Sequence, residues 1–419
     1  MSTTPNGLYH APPVMKQDVY MTLPRQLKQS IPSPTRVPDV VLVAKASAVV
    51  PDVTLNDGHK MPALGLGTWL GYNAQGVRER PKASEVQEAV TWALDAGYRH
   101  IDTAYIYRVE DQVGRALTDK FKNSNLTRQD IFVTTKLWND FHGEDQVIPA
   151  LQESLRNLNL DYVDLYLIHW PVGQYANGTF DARDFVDTWR GMEAAQRAGL
   201  TRSIGLSNFN RDQIDRILAV AEIKPAALQV EHKKWASSAG QIPTFTEYAR
   251  EVAAFAVSFL SVRESLGGLF TPSTLPLIRL TSIRYPIRSQ EAINLNLQQP
   301  DLVAYCKQKG IVVVGYTPFG SLFYSRARED APPPRADDPQ LVAIAGKYGK
   351  TVPQLALRYL VEIGVVPIPK SVAKERIEQN IDVFDFQLTE EERQVLKSFD
   401  RNYRVLPQLK WKDHPYYPF

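Results

Sequence analysis

Short apolar runs alternate with segments of helical period from about residue 53 to the end of the chain. Eight runs have the length and composition of buried β-strands and end in polar or aromatic residues. They cover residues 63–69, 98–104, 131–138, 163–170, 203–208, 226–231, 311–318 and 365–371. Several of the helical segments between them stop at a glycine, such as Gly97, Gly199 and Gly310, as helices commonly do.

This alternation predicts one large α/β domain. Strands that alternate with helices form parallel sheets, and eight such units favour a closed (β/α)8 TIM barrel over an open doubly wound sheet. Asp57-Gly58 is a turn signal for an N-terminal β-hairpin before the first barrel strand. No G-x-G-x-x-G fingerprint follows a strand, which argues against a Rossmann domain.

The interval between the sixth and seventh strands breaks the rhythm. Residues 233–293 have no Asp and many Ser and Thr, and they form either an ordered lid or a translated intervening sequence. For a lid, residues 246–266 could supply an amphipathic helix. The second interpretation is favoured, because joining His232 to about Asn294 restores an ordinary strand, loop and helix, and a long segment without caps or repeats is unusual in a compact domain.

The N-terminal 51 residues are rich in proline, a composition that cannot build a core. We therefore expect a disordered tail over residues 1–51 and the barrel domain over residues 52–419, interrupted at 233–293. A mitochondrial transit peptide is the alternative for the tail, because its basic residues outnumber its acidic ones. No amphipathic arginine-rich face supports that alternative.

Charge and cysteine content narrow the class of protein. The net charge of +2 is too balanced for a nucleic-acid or anionic-membrane surface. Cys306, the single cysteine, excludes an internal disulfide and a cysteine-based metal site, and it fits a reducing compartment. No apolar run reaches the roughly 18 residues that span a bilayer. We expect a soluble cytoplasmic monomer or homodimer without metal, nucleic-acid or membrane partners.

Polar residues at the ends of strands two to four suggest a reaction centre. Functional groups of a (β/α)8 barrel lie at the C-terminal ends of its strands, where this chain has Asp102, Tyr107, Lys136 and His169. A phenol with a pKa of about 10 is a weak acid, but a lysine held by a carboxylate favours the phenolate. The set could protonate a carbonyl oxygen as it accepts hydride. Each residue alone is more often structural; together, at successive strand ends, they favour chemistry.

Three separated motifs resemble the aldo-keto reductase family. They are GYRHIDTAYIY with EDQVGRAL, then DLYLIHWP, then IPKSVAKERIEQN, and the resemblance covers nearly everything from about residue 53 except the interval. It implies an NADPH-dependent reductase of aldehydes and ketones, reversible as an alcohol dehydrogenase and most like the aldehyde, aldose and xylose reductases of fungal type. It also implies that Tyr107 donates the proton, that Lys136 and Asp102 tune it, and that His169 orients the carbonyl.

The same resemblance implies how NADPH is held. Ser207, Asn208 and Gln229 would bond the nicotinamide carboxamide, and Tyr316 would stack on the ring unless it only packs in the core. A group at the last strand and the following helix would bind the 2'-phosphate, which favours NADPH over NADH; a solvated charged face is the alternative. This group comprises Lys370, Ser371 and Arg376. The other expected cofactor residues are Thr68, Trp69, Thr317, Phe319, Ser321 and Asn380.

The resemblance also implies an apolar substrate pocket lined by tryptophans at strand ends, although tryptophans more often belong to the core. Trp69, Trp138 and Trp170 would wall it beside His169, and the terminal HPYYPF resembles the loop that borders the pocket in aldehyde reductases. We expect a small-molecule carbonyl substrate, a small or sugar-derived aldehyde such as glyceraldehyde or xylose.

Some positions depart from the family pattern. Leu228 and Leu295-Asn296 replace a usual Asn and a Pro-Tyr pair, and the charged belt over the pyrophosphate is absent at Leu70 and Phe323. Gln379 replaces an acidic adenine contact, so looser cofactor binding is expected. The alternative to an enzyme is an inactive barrel that binds cofactor as a regulatory subunit, or a chain inactivated by its insert.

Overall fold

The structure is a computed structural model, and it describes residues 49–71, 78–175, 177–230, 294–323, 329–403 and 409–418. The predictions for the Pro-rich tail and for the interval 233–293 fall, apart from the last three residues of the tail, outside the described residues. The predicted N-terminal hairpin is present, and Ala63 N donates to Pro51 O across its base at 2.8 Å.

Eight parallel strands follow the hairpin and form the predicted barrel. The hairpin pairs β1 (Asp52–Thr54) with β2 (Lys60–Pro62). The first four barrel strands are β3 (Leu66–Gly67), β4 (His100–Asp102), β5 (Phe132–Leu137) and β6 (Val163–Ile168). A short antiparallel pair, β7 (Gly173–Gln174) and β8 (Phe180–Asp181), comes next. The remaining barrel strands are β9 (Thr201–Ser207), β10 (Ala227–Val230), β11 (Val312–Tyr316) and β12 (Val365–Ile368).

Glycines allow the first and last barrel strands to meet. Gly65 N donates to Pro367 O and Gly67 N to Pro369 O, each at 3.1 Å, and Gly67 pairs in parallel with Lys370. A Cβ on Gly67 would lie 2.9 Å from Ile368 O, closer than packed atoms tolerate. The glycines of Gly65-Leu66-Gly67 therefore allow the first strand to approach the last strand closely enough to close the barrel.

Ten helices in the described residues surround the strands. They are α1 (Glu85–Ala96), α2 (Glu110–Asn123), α3 (Val147–Leu158), α4 (Phe185–Arg197), α5 (Arg211–Val220), α6 (Pro300–Gln308), α7 (Pro339–Lys347), α8 (Val352–Glu362), α9 (Lys374–Ile381) and α10 (Glu390–Lys397). Gly97, Gly199 and Gly310 have positive φ, the backbone conformation expected of a helix-ending glycine.

Two apolar layers follow from this arrangement. The larger one lies between the outer faces of the strands and the helices. The smaller one fills the barrel interior, where Leu165, Leu167 and Val314 pack with Leu55 and Met61 of the hairpin segment. Within the described part of the chain, no helix has the length and apolarity needed to cross a membrane.

Candidate active site

A buried ion pair lies at the C-terminal ends of β4 and β5. Lys136 Nζ donates to Asp102 Oδ1 at 2.7 Å and to Thr103 O at 2.8 Å, and the two charged side chains are 0% and 3% exposed. Gln229 Nε2, from β10, donates to Asp102 Oδ2 at 2.7 Å. Burial lowers the pKa of Lys136, while Asp102 opposes that shift. Hydrogen bonds from two sides are what a buried carboxylate requires.

Tyr107 lies next to this pair. It ends the single 3-10 turn Tyr105–Tyr107 that follows β4, and Lys136 Nζ is 5.1 Å from the centroid of its ring. The ring centroid is 6.1 Å from that of Trp69 and 5.7 Å from that of His169. The structure thus brings together the four predicted catalytic residues.

His169 presents a neutral imidazole to the site. It follows β6, and its backbone N–H donates to Leu137 O at 3.1 Å. Burial, followed by the positive charges of Lys136 and Arg78, holds the pKa of His169 well below its usual value. Among the described residues, its Nδ1 has no hydrogen-bond partner. A neutral imidazole has one N–H donor, so it can direct a single hydrogen bond to a carbonyl oxygen.

Asn208 connects His169 to the predicted nicotinamide site. Its Nδ2 donates to His169 O at 2.8 Å and to Ser207 Oγ at 3.0 Å, and its Oδ1 accepts from Tyr316 Oη at 2.6 Å. The backbone of Asn208 has a φ of 64°, a conformation that asparagine tolerates better than most residues. Three of the predicted cofactor residues therefore form one hydrogen-bonded unit with the backbone carbonyl of His169.

The other cofactor residues predicted near the first and seventh strands are partly engaged within the protein. Thr68 donates to Asp102 O from both its N and its Oγ1 at 3.0 Å. Ser321 Oγ is buried and donates to Asn296 Oδ1 at 2.7 Å. Phe319 is half-buried, and Thr317 has a φ of 47°.

The predicted phosphate-binding residues lie just before α9 and in its first turn. Lys370 follows β12, Ser371 Oγ accepts from Ala373 N at 3.1 Å, and Arg376 is exposed in the first turn. Asn380 is buried near the end of the same helix. Gly67, Thr68, Lys370 and Ser371 line a small recess at this place. A helix N-terminus that carries two cations is a favourable site for a phosphate.

An aromatic wall stands beside the reaction centre. Trp138, Trp170, Val172 and Trp411 form a buried cluster, in which the ring centroid of Trp411 is 4.9 Å from that of Trp170 and 6.1 Å from that of Trp138. Trp69 stacks with Tyr107 instead. The sequence analysis missed Trp411, although its position three residues before HPYYPF was a usable signal.

The C-terminal segment is fastened to the barrel by its last described residues. His414 is hydrogen-bonded to Asp181 O at 3.0 Å through Nε2 and accepts from Tyr416 N at 3.0 Å through Nδ1. Gln213 Nε2 donates to Tyr416 O at 2.9 Å. These bonds hold Trp411 against the wall, in keeping with the expectation that this segment borders the pocket.

Two further charged residues near the site were not singled out from the sequence. Glu110, at the start of α2, accepts from Thr135 Oγ1 at 2.7 Å, and burial raises its pKa. Arg78 Nη1 donates to Ile106 O, in the residue before Tyr107. Glu110 is the first residue of the EDQVGRAL motif, which assigns no role to it. Arg78 lies in a loop without any periodic pattern.

Comparisons with known proteins agree with this geometry. The model of the aldo/keto reductase family matches residues 63–261 and 285–401. The aldo-keto reductase AKR2E4 of Bombyx mori is 43% identical and covers 88% of this chain and 98% of its own length. The aldo-keto reductase family 1 member A1 of Xenopus tropicalis is 36% identical, over 87% of this chain and 96% of its own. The crystal structure of the Bombyx mori AKR2E4 in complex with NADP has a TM-score of 0.70 at 42% identity and covers 88% of this chain and 99% of that chain.

The fold and the site together define a barrel oxidoreductase that acts on carbonyl groups. The chain belongs to the aldo-keto reductase family, and the predicted NADPH-dependent carbonyl reduction is confirmed at the level of that family. The relatives named above are animal proteins, so the expected fungal type stays a prediction. The span that the family model leaves out, residues 262–284, falls inside the predicted insertion.

Proposed function

We propose that this chain reduces small aldehydes, with Tyr107 as the proton donor, Lys136 and Asp102 as the pair that tunes it, and His169 as the group that orients the carbonyl. One observation carries the proposal: Lys136 Nζ is bonded to Asp102 Oδ1 at 2.7 Å and also lies 5.1 Å from the centre of the Tyr107 ring. A cation in this place stabilises the phenolate that remains after proton transfer.

The donor set of the site suits NADPH. Ser207, Asn208 and Gln229 offer hydroxyl and amide groups for a carboxamide, and Tyr316 offers a ring for stacking. Lys370 and Arg376, with Ser371, offer charge and a hydroxyl for the 2'-phosphate at the start of α9. Thr68, Trp69, Thr317, Phe319, Ser321 and Asn380 complete the proposed cofactor residues. When bound, NADPH supplies the hydride.

Side chains of the protein supply the proton and orient the carbonyl group. Tyr107 donates its hydroxyl proton to the carbonyl oxygen, and the positive charge of Lys136 stabilises the phenolate left behind. His169, neutral because burial lowers its pKa, donates a hydrogen bond to the same oxygen and fixes its direction. Trp138 and Trp170 keep water from the reacting atoms.

The proposed substrates are small or sugar-derived aldehydes. The wall of Trp138, Trp170 and Trp411, together with Trp69, supports a compact apolar pocket with a few polar groups at one end. We place the protein in the cytoplasm as a monomer or homodimer, in keeping with Cys306, its single cysteine, which is a free, buried thiol.

Consumption of NADPH with a panel of aldehydes tests the proposal. Tyr107→Phe should lower kcat by about 100-fold or more, since general acid catalysis contributes about 10² to 10⁴. Tyr105→Phe is the matched control: it lies in the same turn, its hydroxyl bonds Glu153, and it should keep most of the activity.

The full chain and a version without residues 233–293 are assayed side by side. Turnover by the shortened chain would support an intervening sequence. Absence of turnover from both versions, with an intact barrel by circular dichroism, would contradict the enzyme and favour the cofactor-binding subunit.

A further inference from the structure

A cationic side chain outside the proposed machinery lies at the edge of the reaction centre. The loop that follows β3 is closed at its base by a hydrogen bond from Glu79 N to Gly71 O at 2.8 Å. Arg78 lies at this base, on the C-terminal face of the barrel. Its Nη1 donates to Ile106 O, so the guanidinium is attached to the residue that precedes Tyr107.

Ile106, which accepts this hydrogen bond, also places Arg78 beside the pocket wall. The side chain of Ile106 packs against the cluster that contains Trp138, Trp170 and Trp411. The positive charge of Arg78 also contributes, after burial and the charge of Lys136, to the lowered pKa of His169. Arg78 is therefore bonded to the residue that precedes the group proposed to donate the proton. It also lies beside a wall whose Trp138 ring is 5.2 Å, centroid to centroid, from the His169 ring proposed to orient the carbonyl.

The guanidinium has binding capacity left after this contact. Arginine carries five N–H donors in a planar fork that matches a carboxylate. Arg78 is half-buried, and within the described residues no acidic side chain forms an ion pair with it. The neighbouring Arg108 differs: it is exposed, and its guanidinium lies over the Tyr105 ring at 4.3 Å.

We propose that Arg78 is a substrate-binding residue that recognises a carboxylate on the aldehyde. The carbonyl would lie at Tyr107 and His169, and the carboxylate at the far end of the same small molecule would be held by Arg78. The preferred substrates are then aldehydes with a second, anionic end. This inference rests on the proposed reduction of aldehydes and adds the class of substrate.

Matched pairs of aldehydes test the proposal in the full chain. The ratio of kcat/KM for 4-carboxybenzaldehyde to that for 4-methylbenzaldehyde, and for succinic semialdehyde to butanal, should favour the carboxylate. Arg78→Met should raise KM for the carboxylates by about 10- to 100-fold, the usual effect of a charge-assisted hydrogen bond. It should leave both constants for the neutral aldehydes within about twofold. Salt should weaken the preference of the wild type and leave that of the variant unchanged.

Two further variants separate charge from structure. Arg78→Lys should recover part of the preference, because it keeps the charge and loses the fork. Arg108→Met removes a nearby arginine that faces a ring and should leave the preference intact. An equal loss on charged and neutral aldehydes in Arg78→Met would overturn the proposal and make Arg78 a support for the Tyr107 turn.

Failure of the proposed function is distinguishable from failure of this inference. Turnover of neutral aldehydes without preference for the carboxylates would overturn only the role of Arg78. In a chain that reduces no aldehyde, quenching of tryptophan fluorescence by 4-carboxybenzyl alcohol and by benzyl alcohol measures the same contact. Equal binding of these two alcohols would overturn the proposal, and binding of the carboxylate that Arg78→Met abolishes would sustain it.

Discussion

A buried carboxylate, Glu110, links the elements that carry two of the proposed reacting side chains. Glu110 Oε1 accepts from Thr135 Oγ1 at 2.7 Å, and Oε2 accepts from Asn157 Nδ2 at 3.2 Å. Thr135 is adjacent to Lys136 on β5, and Glu110 comes three residues after Tyr107. This hydrogen bond therefore ties the turn that carries the phenol to the strand that carries the ammonium group.

Variants of Glu110 separate position from charge. Glu110→Gln keeps an acceptor for Thr135, so we expect kcat for aldehyde reduction to stay within about threefold and the pH profile to stay in place. Glu110→Ala leaves a buried hydroxyl without its partner, which costs about 1–3 kcal/mol, and kcat should fall by about 10-fold. Steady-state kinetics over a range of pH and the midpoint of urea unfolding measure both effects. An equal decrease of kcat in Glu110→Gln and Glu110→Ala would contradict a positioning role for Glu110.

At the level of elements, close approach of two helices sets the place of this turn. Gly114 in α2 has no side chain, and a Cβ there would lie 2.5 Å from Leu158 O at the end of α3. The backbone of α2 can lie this near to α3 only with glycine. Since α2 begins three residues after Tyr107, its close approach to α3 limits where the turn can lie.

Two glycine-to-alanine changes in helices should have opposite effects. Gly114→Ala forces α2 from α3 and should lower the free energy of unfolding by about 2 kcal/mol, as overpacking does. Gly346 in α7 has no atom within 4 Å of an added Cβ, so Gly346→Ala should raise it by a few tenths to about 1 kcal/mol through helix propensity. Urea denaturation followed by circular dichroism provides both values. A stabilising Gly114→Ala would show that the helices can separate without strain.

The sequence predicts elements and strand-end residues better than it predicts contacts. Seven of the eight barrel strands lie within the predicted runs, and β9 begins at Thr201, two residues before its run. The rule for strand ends brings Asp102, Lys136 and His169 together. The bond from Gln229 to Asp102 joins residues 127 positions apart, and no local pattern encodes it. Trp411 and Arg78 lie in segments without periodicity, so their positions depend on packing against distant elements.

At the level of the whole molecule, closing the barrel buries histidines that must stay neutral. His142 is fully buried after β5, where Thr188 Oγ1 donates to its carbonyl oxygen at 2.8 Å and lies 3.3 Å from its Nδ1. Burial lowers its pKa to about 4, with Asp181 opposing the shift and His414 and Arg183 adding to it. Between about pH 4 and 6.5, His142 is thus neutral in the folded protein and protonated in the unfolded chain.

This difference predicts a loss of stability in weak acid. The unfolded histidine has a pKa near 6.5 and the folded one near 4, so the contribution is fully present above about pH 6.5 and decreases as the pH falls towards 4. From pH 7 to pH 5, His142 alone should lower the free energy of unfolding by about 2 kcal/mol, at 1.36 kcal/mol per pH unit.

The free energy of unfolding in urea, compared between the wild type and His142→Gln, isolates this group from the carboxylates that titrate in both. The advantage of the wild type should shrink by that amount, and His100→Gln should behave alike because burial lowers the pKa of His100 to about 4 as well. A difference that stays constant from pH 7 to pH 5 would mean that the buried imidazole takes up its proton without unfolding the barrel.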